Sequence, residues 1–124
     1  MHKSRLGVIV IDCKTEDLAN DAAFWSKTLG YEARHDPDDG KYVELITPDG
    51  DIRLILQVVD HEPRLHLDIE TNDQPAEVAR IMALGAKQVG THPRWTILEA
   101  PSGHRFCIVK PQRSDFEDNA NRWE

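Results

Sequence analysis

The stretch Arg64–Gly85, RLHLDIETNDQPAEVARIMALG, decides the fold. Leu65, Leu67 and Ile69 alternate with His66, Asp68 and Glu70, which reads as a strand with one apolar and one polar face. Thr71-Asn72-Asp73 offers N-cap residues, and Pro75 falls in the first helical turn, where a missing N–H costs little. Val78, Ala79, Ile81, Met82 and Leu84 form the apolar stripe of a short amphipathic helix, which Gly85 is placed to end in the left-handed region. Leu67 and Ile69 are expected beneath this helix, and the imidazole of His66 on the opposite strand face.

The same unit occurs upstream. Leu6–Ile11 is a continuous apolar run rich in β-branched residues, as in a strand buried on both faces. Thr15-Glu16-Asp17 caps a helix over about 17–29 with Leu18, Ala22, Trp25 and Leu29 on one stripe, ended by Gly30. Strands follow at Tyr31–His35, Tyr42–Ile46 and Ile52–Val59, with turns at 36–40 and Thr47-Pro48-Asp49-Gly50. Asp60–Pro63 is a polar connector. After the opening stretch come a short strand at Gln88-Val89, Trp95–Leu98, the turn Ala100-Pro101-Ser102-Gly103 and Phe106–Val109. Leu29-Gly30 recurs as Leu84-Gly85, and the Pro-x-Gly turn at 48–50 recurs at 101–103. Two such coincidences in one order indicate a duplicated βαβββ module, neither copy of which could bury its sheet alone. The expected organisation is one domain over 1–124, with module one at about 5–59, module two at about 64–110 and a loosely held charged tail at 111–124.

Hydrophobic content of 40% is that of a soluble globular protein, and a formal charge of −7 without a basic patch argues against nucleic-acid or anionic-membrane partners. Cys13 and Cys107, the two cysteines, leave one disulfide open but no disulfide framework, and reduced, buried thiols in a cytoplasm are the expectation. No apolar run approaches the roughly 20 residues that span a bilayer. His2 is assigned to a disordered start, while His35, His61 and His92 beside turns are read as solvated. No HExxH, GxSxG, Walker or GxGxxG pattern is present.

The phrases FWSKTLGYEA, RLHLDIET…EVARIMALGA and RWTILEAPSGHRFCIV resemble the vicinal oxygen chelate superfamily, also called the glyoxalase/bleomycin resistance/dioxygenase superfamily, and within it the small glyoxalase-like domain proteins. The resemblance covers about residues 5–110. It implies an α+β fold in which two βαβββ modules form a half-open, eight-stranded, barrel-like sheet around a ligand, with pairs of chains commonly associating. It does not imply one reaction, because the fold hosts isomerases, dioxygenases, thiol transferases and drug-binding proteins.

Metal-using members place a His, Gln or Glu on the first and last strand of each module. His66, seven residues before Asp73, matches. The same spacing before Asp17 lands on Val10, which has no lone pair to offer. Four residues beyond Gly103, where the family has Glu, stands Cys107. After the first turn the position is Leu54, or Gln57 after a register shift. His66 and Cys107, with Asp68 along the same face, are chemically able to hold Zn²⁺, but thiolate favours soft or tetrahedral ions over the hard octahedral ion of a glyoxalase-type site. The expectation is therefore a pocket without metal or other cofactor.

The residues expected to contact a ligand are His66, Trp95, Gln57, Tyr42, Glu44 and Cys107, with His66 as the one catalytic candidate, since an imidazole titrates near neutrality. The function expected is binding of a small, partly apolar or aromatic molecule by a cytoplasmic homodimer. The alternatives are a lyase or isomerase of a small carbonyl compound, using His66 as acid, base or lone metal ligand, and a partner-binding module with a vestigial pocket.

Overall fold

Strand β1 (His2–Cys13) serves both halves of the chain. The computed structural model describes residues 1–124, which form two compact units: Val8–Leu65, and Met1–Gly7 together with His66–Glu124.

In the Val8–Leu65 unit, β1 leads to α1 (Leu18–Leu29), β2 (Ala33–His35), β3 (Tyr42–Leu45) and β4 (Arg53–Val58). The Asp17 carboxylate accepts from the Asn20 N–H at the start of α1, and Gly30, at φ 80°, ends it with its N–H on the Ser26 carbonyl. β4 runs parallel to β1, from Val8 opposite Arg53 to Cys13 opposite Val58, and β3 is antiparallel to both β4 and β2. Leu18, Ala22, Val43, Leu45 and Leu56 form the core, with Leu54 and Val58 packed against it. Alternation then turns Tyr42, Glu44, Arg53, Ile55 and Gln57 to the face away from α1. This fixes the register that the sequence left open: Leu54 lies on the helix side and Gln57 on the open face.

The other unit repeats the plan. β5 (Arg64–Thr71) leads to α2 (Gln74–Ala83), β6 (Lys87–His92), β7 (Trp95–Glu99) and β8 (Arg105–Val109). β8 is parallel to β5, with Asp68 opposite Cys107 and Ile69 opposite Ile108, and β6, β7 and β8 are successively antiparallel. Asp73 caps α2 through the Ala76 N–H, with Pro75 in the first turn as expected. Val78, Ile81, Ile69 and Phe106 pack on Ala86, Leu98 and Ile108. Leu67, Met82 and Leu84 are exposed, contrary to the helical-stripe reading. The reason is that α2 lies across β7 and β8, so its covering reaches Ile69 and not Leu67. Within each unit the sheet is mixed, with β2, β3, β4 and β1 adjacent in that order in one and β5, β8, β7 and β6 in the other.

The tail corrects the sequence reading most. It is not loose: α3 (Phe116–Asn119) buries Phe116, and β9 (Asn121–Trp123) pairs antiparallel with His2–Ser4 of β1. Arg5 donates to Asp115 (2.7 Å), Lys3 to Glu117 (3.0 Å), and the Trp123 indole N–H to Ser4 Oγ (2.8 Å). The Arg80 guanidinium lies 3.8 Å from the Trp123 ring centroid. His2 is not disordered either; it is buried with Nε2 2.8 Å from Glu77 Oε1. Trp123→Ala removes a cation–π contact and a hydrogen bond, and is expected to cost about 2 kcal/mol in urea unfolding.

Candidate functional site

Two constellations stand out, one in each unit. In the second, His66 and Asp68 sit two apart on β5 and so share a face, and Cys107 stands opposite Asp68 on the neighbouring parallel strand. Their ligand atoms lie within 4.8 Å of one another, and all three residues are half-buried. His66 Nε2 is 3.4 Å from Asp68 Oδ1, an oxygen that is buried and makes no hydrogen bond.

In the Val8–Leu65 unit, a cavity of about 370 Å³ opens beside β2, β3 and β4, lined by Arg34, His35, Tyr42, Glu44, Arg53 and Ile55 among others. Glu44 is held between two cations: Arg34 Nη2 donates to its Oε1 (3.0 Å) and Arg53 Nε to its Oε2 (2.9 Å). Burial alone would push the Glu44 carboxyl upward, but these hydrogen bonds outweigh it and hold it below the ordinary range. The Gln57 amide donates to the Tyr42 hydroxyl at 3.3 Å. Tyr42, Glu44 and Gln57 are thus brought together.

Trp95 stands elsewhere. Its ring stacks on His92 (centroids 3.6 Å apart, 5° between planes), and it lines a cavity with Gln74, Pro75, Val78 and Thr96 that includes neither His66 nor Cys107. The register of β6 slips between Gln88 and Gly90, so simple alternation does not carry through this hairpin.

Sequence reasoning passed over Arg34, Arg53 and Asp12. Asp12 is buried, with Oδ2 3.8 Å from Arg64 Nε and 3.9 Å from His61 Nε2. A signal for it existed: Asp12 precedes the cap Asp17 by the same five residues that separate Asp68 from Asp73. Cys13, the other thiol, packs in the α1 core, and burial, with Asp21 and Asp12 adding to it, pushes its pKa up to about 11. At pH 7 that leaves on the order of one thiolate in ten thousand. Mass mapping after brief iodoacetamide treatment is expected to find Cys13 modified only in unfolded chain.

The hard divalent ion implied by the superfamily can be tested against these donors. Val10 is buried and apolar where β1 would supply a ligand, and a thiol stands at 107 where a carboxylate would. The residues do not fit that ion's octahedral oxygen and nitrogen set.

Two βαβββ modules, each with parallel outer strands, a covering helix and a polar open face, define a glyoxalase-like domain of the vicinal oxygen chelate superfamily. The model of the Glyoxalase-like domain family matches residues 8–109, and the chain belongs to that family. It is similar in structure to a hypothetical protein from Bacillus halodurans C-125 (TM-score 0.62, 11% identity, 90% of this chain and 96% of that one). It is similar also to methylmalonyl-CoA epimerase from Mycobacterium tuberculosis (TM-score 0.58, 21% identity, 87% and 88%). A variant of homoprotocatechuate 2,3-dioxygenase from B. fuscum matches over 90% of this chain and 33% of its own (TM-score 0.60, 14% identity). At these identities the likeness is one of fold. No curated protein sequence matches the chain.

Proposed function

We propose that this chain binds a small, partly apolar or aromatic molecule without the superfamily's hard divalent ion. The observation that supports this best is the cavity beside Tyr42: about 370 Å³ falls in the range of small-molecule sites. Ile55 and the Tyr42 ring offer an apolar surface, while Arg34, Glu44 and the Tyr42 hydroxyl offer a few fixed polar groups, the mixture that orients a planar ligand. Gln57, whose amide donates to the Tyr42 hydroxyl, is the further residue proposed to contact it. The test is a thermal-shift and NMR screen of aromatic and short aliphatic compounds. A ligand at 100 times its Kd should add about 2.7 kcal/mol to stability, and Tyr42→Ala should remove most of that gain. A screen without any hit, or hits indifferent to Tyr42→Ala and Glu44→Gln, would overturn the reading.

A second reading is carried by the 3.4 Å approach of His66 to Asp68. A carboxylate at that distance orients an imidazole, which suits acid–base chemistry on a small carbonyl compound in a lyase or isomerase. Solvent deuterium incorporation into such a compound, lost in His66→Ala, would favour it.

The proposal extends to a cytoplasmic homodimer, its association supported by the exposed Leu67, Met82 and Leu84. No helix is long and apolar enough to cross a membrane. Sedimentation over a hundredfold concentration range is expected to show the dimer, and a monomer throughout would remove it.

A further inference from the structure

We infer that His66, Asp68 and Cys107 form a three-donor site for a thiophilic divalent cation of the Zn²⁺ kind, built by the second module alone. The backbone does most of the assembly. The i, i+2 spacing on β5 aims an imidazole and a carboxylate the same way, and the parallel register sets the thiol directly opposite that carboxylate. Asp68 Oδ1 is buried, makes no hydrogen bond and faces His66 Nε2 at 3.4 Å, an arrangement that a cation held by that oxygen would stabilise.

The distances allow it. Donors around a tetrahedral zinc stand about 3.5 Å apart, given Zn–S near 2.3 Å and Zn–N and Zn–O near 2.0–2.1 Å. The three atoms here lie within 4.8 Å, so side-chain shifts of about an ångström close the shell without backbone movement. Neighbouring charges on this face have partners: Arg105 pairs with Glu99 (3.6 Å), and Glu70 with Arg5, while the Gln112 N–H donates to Glu70 (2.6 Å). Glu70 is therefore not a fourth donor, and the fourth position falls to water or to a ligand atom. A thiolate, an imidazole and one carboxylate select Zn²⁺ or Co²⁺ over Mg²⁺, which demands near-octahedral oxygen. The disagreement with the superfamily's hard-ion set is thus a change of metal class.

The experiment is a titration of the full, metal-stripped, reduced chain with Co²⁺, read by absorption. The expected result is one equivalent bound, with thiolate-to-cobalt charge transfer in the near ultraviolet and the visible bands of four-coordinate cobalt. Zn²⁺ should displace it and a hundredfold excess of Mg²⁺ should not. Cys107→Ser should abolish the charge-transfer band, Asp68→Asn and His66→Gln should each weaken binding at least tenfold, and Cys13→Ser should change nothing. Absence of the band in the unaltered chain, or its survival in Cys107→Ser, would overturn the site. Should a variant not fold, the unaltered chain still decides: Zn²⁺ must protect Cys107 from iodoacetamide where Mg²⁺ does not, and equal labelling rates reject the site. The inference is independent of the cavity beside Tyr42, since cobalt spectra and the ligand screen succeed or fail separately.

Discussion

Replacing Glu70 with alanine should lower the unfolding free energy by about 3–5 kcal/mol, the usual cost of removing one partner from a buried ion pair. Glu70 has no exposure to solvent. One carboxylate oxygen accepts from Arg5 Nε and lies 3.8 Å from Arg113 Nε, and the other accepts from the Gln112 N–H at 2.6 Å. Both arginine side chains are largely buried, so alanine strips a counter-charge from two cations that water cannot readily reach. Arg5 would keep only Asp115, which is partly exposed. The measurement is urea unfolding at pH 7, where the midpoint should fall and the slope stay constant. A double-mutant cycle with Arg5→Ala should return a coupling of about 1–3 kcal/mol, and additivity would mean that the pair does not act as a unit. Gly7 supplies an independent check, because a Cβ there would stand 2.9 Å from Glu70 Oε2. Gly7→Ala should therefore cost about 1–3 kcal/mol through displacement of the same carboxylate. A loss below about 1 kcal/mol in Glu70→Ala would show that the cluster is hydrated and energetically slack.

That cluster also marks where the sequence stopped being legible. Helix boundaries were readable because their signals are local: Asp17 and Asp73 cap from three residues away, and Gly30 turns the chain at its own position. The two-module plan was readable because the repeat is carried by punctuation, the Leu-Gly and Pro-x-Gly pairs. His66 and Asp68 were readable as face-mates because a period of two needs no tertiary information. Cys107 joined them through the family resemblance, by counting four residues on from Gly103. What failed needed distant partners. Trp123 meets Ser4 across most of the chain, from a three-residue strand that follows a four-residue helix, both too short to show a pattern, and His2 meets Glu77 between two elements far apart in sequence. The choice between Leu54 and Gln57 depended on register, in which a slip of one residue exchanges the two faces. Arg34 and Arg53 became visible as a clamp on Glu44 only when strand pairing set Arg34 directly opposite it.

Glu77 makes the strongest pH-dependent prediction. Its side chain is wholly buried on α2, and it receives both ends of the Arg80 guanidinium (2.8 Å each) together with His2 (2.8 Å). Burial taken alone would push its carboxyl upward. Hydrogen bonds from Arg80, Ser4 and His2, with the Arg80 charge, outweigh that and hold it at about 2, against an ordinary 4.5. A lowered folded-state value means that the unfolded chain takes up the proton first. The stabilisation is therefore complete above about pH 5 and drains away as pH falls from the ordinary value towards 2. One such group gives a slope of at most about 1.4 kcal/mol per pH unit. Unfolding followed by urea at half-unit steps from pH 7 to pH 2.5 should show the unaltered chain losing stability over the acid limb faster than Glu77→Gln. The two curves should converge as the carboxyl protonates, because the variant carries a permanently uncharged amide in its place. At pH 7 the glutamine variant should already be about 2–4 kcal/mol less stable, Arg80 having lost its buried counter-ion. Parallel curves would mean that the other acidic groups alone set the acid limb. Trp123 then reports the local consequence: its ring lies against Arg80, so a guanidinium released by protonation of Glu77 should loosen β9 before the rest of the unit unfolds. Amide exchange at Asn121–Trp123 should accordingly accelerate below pH 4 ahead of exchange in β5 and β8.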